Sequence, residues 1–221
     1  MAGLITGLEV ETVRAGTARV LEEIAEAAAR KAGRSPDEVE LLAAVKYIPL
    51  EDLHVLHEAG LTLLGENRAQ ELEAKATAHP EFRWHFIGQL QSRKVKQILP
   101  YVELIHSVAS DSALTQLGKH GTPGTEILVE VNVAGDEGKA GIDPGELPAF
   151  LERAPVRVSG LMTMPPFAED PEASRRHFAA LKQLADAHGL TRLSMGTSQD
   201  FAVAVEEGAT LVRVGTRLYG A

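Results

Sequence analysis

A chain of 221 residues with 44% hydrophobic and 24% charged residues has ordinary globular composition, which excludes a disordered or collagen-like polymer. Asp and Glu number 31 against 22 for Lys and Arg, so the formal charge is −9, and with no basic run the chain is not expected to bind nucleic acid. There is no cysteine, which excludes thiolate chemistry, disulfides and cysteine-ligated zinc, and no apolar run approaches the ~18 residues of a membrane span.

In chain order, residues 1–10 lack the basic start and apolar stretch of a signal peptide, so a soluble, cytoplasmic protein is expected. Residues 8–32 carry a helical period, apolar at Leu8, Val13, Val20, Leu21 and Ile24, with Gly33 placed to end it. Leu41 to Val45 is an unbroken apolar run, the pattern of a strand buried on both faces. A helix over 49–59 follows, with Pro49 at its start and Gly60 past its end. The rhythm then repeats, with strands expected over 62–65, 84–87, 103–106, 125–131, 156–162, 191–194 and 210–214. The helices between them are expected over 67–78, 92–99, 111–119, 145–153, 171–188 and 199–206. Strands alternating with helices imply parallel pairing through right-handed crossovers. The expected fold is a single α/β domain over residues 1–221, a (β/α)8 TIM-type barrel with residues 1–39 as an extra N-terminal helical segment packed on it. An open doubly wound sheet is the competing arrangement.

In such a barrel the active face lies at the C-terminal ends of the strands. Those positions read Lys46, then Gly65-Glu66-Asn67, His85, His106-Ser107, Asn132, Thr163, Ser194 and Arg213. Of the eight lysines, Lys46 alone directly follows a five-residue apolar run, and the other seven sit in polar, helical or loop contexts where a solvated ammonium is the default. Desolvation there disfavours the charged form, and a neutral amine is the nucleophile that forms a Schiff base with an aldehyde or ketone. The ordinary alternative is a strand-terminal lysine that reaches water or pairs with Glu66.

Two segments near the C-terminus have the features of an anion site. Ser194-Met195-Gly196-Thr197-Ser198 follows one strand and Arg213-Val214-Gly215-Thr216 ends the last, each with a glycine, hydroxyls and backbone N–H groups entering a helix. In barrels, the loops after strands seven and eight commonly hold phosphate. Ser198 is equally a good N-cap for a helix beginning near Gln199. Neither segment matches a P-loop or a dinucleotide fingerprint. Arg213, flanked by Leu211, Val212 and Val214, needs a partner, which the sequence leaves open between a phosphate, a carboxylate such as Glu130, and a ring nitrogen. His54 and His57 share a helix face without an evident third metal ligand, and His85 reads either as a pocket residue or as a satisfied core histidine. Glu206 and Glu207 read as a solvated helix face.

A lysine ending the first strand and a phosphate site after the last two together suggest pyridoxal 5′-phosphate (PLP). The stretches Ala43-Ala44-Val45-Lys46, Gly65 to Glu71, Trp84 to Gln91, Glu130-Val131-Asn132, Gly160 to Met164, Ser194-Met195-Gly196 and Val212 to Gly215 carry a resemblance to a known family. On them the chain resembles the pyridoxal phosphate homeostasis proteins, which are similar to the N-terminal barrel of alanine racemase. The resemblance implies that Lys46 forms the Schiff base with PLP, that Ser198, Gly215 and Thr216 hold its phosphate, and that Asn67 lies beside it. It places Arg213 opposite the pyridine nitrogen, which keeps that nitrogen unprotonated and makes the ring a weaker electron sink. Two positions depart from the family pattern: Thr197 stands where Met is more common, and Arg93 where Asn is usual.

The resemblance implies a non-catalytic PLP carrier or buffer in vitamin B6 homeostasis, with apo PLP enzymes as transient recipients and no membrane or nucleic-acid partner. A PLP-dependent amino-acid racemase is the alternative, and it needs two acid/base groups on opposite faces of the ring. In the racemases the second is a tyrosine from a C-terminal β domain, and the sequence stops at Ala221 after the last expected strand, so the carrier and a monomer are the expectation. A lysine aldolase acting on a sugar phosphate would use the same lysine and phosphate loops.

Overall fold

Each of the eight apolar runs becomes one strand of a closed parallel barrel. The structure is a computed structural model that describes residues 4–31, 33–136 and 138–220. The strands are β1 (Glu40–Ala44), β2 (Leu63–Glu66), β3 (Arg83–Phe86), β4 (Leu104–Val108), β5 (Glu126–Glu130), β6 (Arg157–Met162), β7 (Arg192–Thr197) and β8 (Leu211–Val214). They pair in chain order, and β8 closes on β1 with Leu42 opposite Arg213. An open doubly wound sheet is thereby excluded.

The helices are α1 (Val10–Ala29), α2 (Leu53–Glu58), α3 (Ala69–Ala78), α4 (Val95–Ile98), α5 (Asp111–His120), α6 (Leu147–Arg153), α7 (Arg175–Ala187), α8 (Phe201–Glu206) and α9 (Thr216–Tyr219). Several are shorter than their sequence pattern because their first turn is 3-10: Leu50–Asp52 before α2, Ser92–Lys94 before α4, Pro144–Glu146 before α6 and Pro171–Ser174 before α7. Gly60 and Gly208, at φ +92 and +108, end α2 and α8 with the same turn. In each the glycine N–H and the N–H that follows it bond back into the last helical turn (Gly60 N to His57 O 2.9 Å, Leu61 N to Leu56 O 3.0 Å).

Helix α9, after β8, has four residues, too few to cover its flank of the barrel. Helix α1 takes that place in the outer ring, packed against α9, α8 and α2. A Cβ on Gly16 would come 2.5 Å from the Leu218 carbonyl oxygen, so glycine is what lets α1 approach α9 this closely. Helix α1 therefore completes the ring of helices on the barrel's side.

The barrel interior is filled in layers of side chains from alternate strands. At the N-terminal end Glu40, Arg83, Glu126 and Arg192, one each from β1, β3, β5 and β7, are linked by ion pairs: Arg83–Glu40 at 3.0 Å, Arg192–Glu40 at 2.9 Å and Arg192–Glu126 at 3.0 Å. Above them sit two apolar clusters, Leu42, Leu63 and Leu211 on one side and Leu104, Leu128 and Met162 on the other. Beside these clusters the interior is polar, with His85, His106, Ser194 and Arg213 all buried there. The main apolar core lies between the strands and the helices. Among the described residues no helix is long and apolar enough to cross a membrane.

Candidate functional site

A cleft of about 460 Å3 opens at the C-terminal rim, within the size range of small-molecule sites. Lys46, Asn67, Ser198, Arg213, Gly215 and Thr216, drawn from β8 and from the segments that follow β1, β2, β7 and β8, all line it. Barrel closure is what brings these six positions together. Thr197 of the expected anion-site segment lines it too, as do Ile5, Tyr47, Gln89, Met164 and Tyr219, which were not singled out as site residues. Gln89 and Met164 lie in stretches that carried the family resemblance. Ile5 left no signal, because its place depends on Ile5 N–H reaching the Tyr47 carbonyl at 2.9 Å.

Strand β1 ends at Ala44, so Lys46 stands past the rim and is exposed, with Nζ 4.7 Å from the Tyr47 ring centroid. The desolvation expected from the preceding apolar run is absent, since Val45 is the residue that turns inward and is buried. Nor does Glu66 pair with Lys46. Its Oε2 accepts from Lys75 Nζ at 2.7 Å, and its Oε1 accepts from the backbone of Asn67 at 2.7 Å and Arg68 at 3.2 Å. Lys75, expected to be solvated, is 2% exposed on the inner face of α3. It also donates to the Val45 carbonyl at 2.8 Å, while Tyr219 Oη donates to the Ala44 carbonyl at 3.2 Å. The two peptide groups before Lys46 are thus held by side chains from α3 and α9.

At the opposite wall, Gly196 turns the chain out of β7 at φ +89, a conformation a side chain disfavours, and a Cβ there would lie 2.6 Å from Ala204 Cβ. Thr197 donates to Asp200 Oδ1 from its backbone N–H at 2.8 Å and from Oγ1 at 3.1 Å. That turn delays α8 to Phe201 with Asp200 at its N-cap, so Ser198 is not the cap. Instead Ser198 Oγ accepts from Gly215 N–H at 3.0 Å and joins the two glycine loops. Thr197 faces the cleft, whereas Arg93 is exposed and bonds to Gln91 at 3.1 Å.

Arg213 forms the cleft floor. Nη1 donates to Ser194 Oγ and Nη2 to the Thr163 carbonyl at 3.0 Å. Burial pushes its pKa down to about 10, with Glu130 and Asp200 pulling the other way, so it stays charged at neutral pH. Glu130, buried on β5, has its pKa raised by burial, and the Arg213 cation opposes that rise. His85 resolves as a core histidine, its Nδ1 3.0 Å from His106 Nε2. His106 is mid-strand, not at the rim, and its Nδ1 is 2.9 Å from Ser194 Oγ. Asn132 donates to the Asp136 carbonyl at 2.8 Å and Thr163 to the Val131 carbonyl at 2.9 Å, so both rim residues stabilise loops. Glu206 and Glu207 are not merely solvated, for Arg175 bonds to both, at 2.6 and 2.7 Å. Among the described residues no cluster of His, Asp and Glu is arranged for a metal ion.

The family profile described as the alanine racemase N-terminal domain matches residues 19–221. The pyridoxal phosphate homeostasis protein of Aquifex aeolicus is 42% identical over 217 residues, covering 91% of this chain and 95% of its own. The chain belongs to the pyridoxal phosphate homeostasis protein family. Its relative of that name in Pseudomonas aeruginosa is 38% identical over 223 residues, 96% of each chain. A solved family structure, PipY of Synechococcus elongatus with PLP bound, superposes with a TM-score of 0.74 at 34% identity, covering 89% of this chain and 100% of that one. The family and barrel expected from the sequence are thereby established.

Proposed function

We propose that the cleft binds PLP and that the chain acts in PLP homeostasis as a carrier or buffer, without robust turnover. The observation that carries this is the convergence of Lys46, Arg213 and the Ser198–Gly215 pair on one cleft of about 460 Å3. The residues present fit the cofactor. Asn67 Oδ1 is a buried polar atom with no partner in the protein, and Arg213 lines the cleft as a fixed cation with no carboxylate bonded to it. Ser198 Oγ already accepts from Gly215, which leaves its own proton free for a phosphate oxygen.

When bound, PLP supplies an aldehyde and an electron-withdrawing pyridine ring. Lys46 Nζ would be the amine that holds that aldehyde. Asn67 would lie beside the ring, and Ser198, Gly215 and Thr216 would hold the phosphate. Arg213 keeps its proton at neutral pH, so it would donate a hydrogen bond to the ring nitrogen without protonating it. Two of the three tyrosines are engaged away from proton transfer: Tyr219 Oη donates to Ala44, and Tyr101 Oη to Glu73 at 3.5 Å. These features favour holding PLP over racemising amino acids. Residues 1–221 act as one unit, monomeric and cytoplasmic, with apo PLP enzymes as transient recipients.

The test is the visible absorption spectrum after incubation with PLP, beside that of Lys46→Ala. A Schiff-base band that the variant lacks is expected. A wild-type protein that stays colourless overturns PLP binding, and measurable α-proton exchange of any amino acid in D2O, lost in Lys46→Ala, overturns the non-catalytic role.

A further inference from the structure

Beneath the cleft a continuous line of buried polar groups runs down the barrel axis, and none of its lower members touches the cleft. Arg213 Nη1 donates to Ser194 Oγ; Ser194 Oγ lies 2.9 Å from His106 Nδ1; His106 Nε2 lies 3.0 Å from His85 Nδ1; His85 Nε2 faces Glu103 Oε2 at 4.0 Å. Ser194 and His106 are 0% exposed, as is His85, and the four residues come from β8, β7, β4 and β3. Barrel interiors are usually packed with branched apolar side chains. A polar line through one is costly unless every member is satisfied.

The directions of its hydrogen bonds follow from the groups at its two ends, a guanidinium above and a carboxylate below. A guanidinium can only donate, so Ser194 Oγ accepts at its upper side, and its own proton is available to His106 Nδ1. His106 then carries its proton on Nε2 and donates to His85 Nδ1, which leaves His85 with a proton on Nε2 that has no hydrogen-bond partner in the protein and faces the Glu103 carboxylate at 4.0 Å. The opposite arrangement would set a bare Nε2 lone pair against that carboxylate and give Ser194 two donors, with its own proton in need of another acceptor. Burial and the cations Arg83, Arg192 and Arg213 hold both rings neutral, as a chain of single donors and acceptors requires.

We propose that Ser194, His106 and His85 are positioning residues: a one-directional hydrogen-bond relay that fixes the Arg213 guanidinium toward the pyridine nitrogen of the cofactor. This rests on the PLP reading of the cleft. Thr163 holds one edge of the guanidinium through its carbonyl and Ser194 holds the other, so the head group is oriented on two sides. The histidines act through Ser194 by fixing which way its hydroxyl points.

Two measurements test it. Nitrogen-15 NMR of histidine-labelled protein without PLP, near pH 7, reads the tautomers directly; both rings are expected as neutral Nε2–H forms, and an Nδ1–H form of either overturns the relay. In the PLP-loaded protein, Ser194→Ala and His106→Gln are expected to shift the absorption maximum and to weaken PLP retention about tenfold, the loss of one hydrogen bond to a charged group. Ser194→Thr, which keeps the hydroxyl, should recover the wild-type band. An unchanged band and affinity in Ser194→Ala overturns the proposal while leaving PLP binding intact. If the wild-type protein takes up no PLP, the cofactor reading has failed and the link to the ring nitrogen with it, an outcome told apart by the tautomers, which are read without PLP.

Discussion

Lys75 Nζ lies 2.7 Å from Glu66 Oε2 and 2.8 Å from the carbonyl of Val45, so one buried ammonium couples α3 both to the end of β2 and to the residue before Lys46. Both side chains are at most 3% exposed, and Glu66 also caps the backbone of Asn67 and Arg68. The two cleft residues on this side, Lys46 and Asn67, thus hang from the same ion pair. Removing one member leaves an unpaired buried charge, at a cost of about 3–5 kcal/mol. Lys75→Met and Glu66→Gln are each expected to lower stability in urea denaturation by roughly that amount, with the Glu66→Gln, Lys75→Met double variant much closer to wild type than the two losses summed. Additive losses would show that the pair is not coupled.

Acid should weaken the fold earlier than the carboxylates alone require. Burial pushes His85 down to about 3, and His106 lies well below its usual value through burial and the nearby cations. In the unfolded chain both titrate near the ordinary value of about 6.5. Above that pH neither state binds the proton, and these residues contribute no pH dependence. Below it the unfolded chain takes up protons that the native barrel refuses, so stability falls by about 1.4 kcal/mol per pH unit for each histidine. Urea midpoints between pH 7 and 5 should show this slope, and His85→Gln should reduce it by about half. A flat profile over that window would mean that the rings are not held neutral.

Gly196 links the fold to the phosphate side of the cleft. Its φ of +89 turns the chain from β7 into the Thr197–Ser198 segment, and a Cβ would meet Ala204 Cβ at 2.6 Å and Phe201 Cα at 2.8 Å. Ala at this position combines an unfavourable backbone region with a contact against α8 that backbone atoms cannot relieve. Gly196→Ala is expected to lose about 1–3 kcal/mol of stability and to weaken PLP uptake more than Gly7→Ala, where φ is also positive but the added Cβ meets nothing within 4 Å. Equal effects of the two substitutions on PLP uptake would separate the β7 turn from the cleft.

The eight strands were legible because a strand covered on both faces leaves an apolar run, and the six candidate cleft residues because they stand at or just past those runs. What the sequence did not disclose depends on closure. Lys75 reads as a surface residue because its partner Glu66 lies across a turn, nine residues upstream, and a helix pattern of Ala69, Leu72, Lys75 and Ala76 does not announce a buried charge. His85 and His106 look like separate strand residues until β3 pairs with β4. The exposure of Lys46 differs from expectation for a local reason: β1 stops one residue before the apolar run does, which leaves the lysine beyond the rim. The place of α1 follows from its packing on α9, α8 and α2, elements far from it in sequence.

Arg213 joins the cleft to the barrel interior, and its replacement separates binding from support. Arg213→Ala deletes a buried cation and leaves Ser194 Oγ and the Thr163 carbonyl without their donor. It also removes the positive charge that holds Glu130 down, so Glu130 should be driven further toward its neutral form. PLP retention, followed by dialysis or by transfer to an excess of an apo PLP enzyme, is expected to fall at least about tenfold, the scale of a lost hydrogen bond to a charged group. Arg213→Lys keeps the charge but gathers its three donors on one nitrogen in place of a planar fork, which cannot span Ser194, Thr163 and a ring nitrogen together. It should therefore retain stability better than Ala while losing nearly as much affinity. Unchanged PLP affinity in Arg213→Ala would make the arginine a purely structural residue of the barrel core.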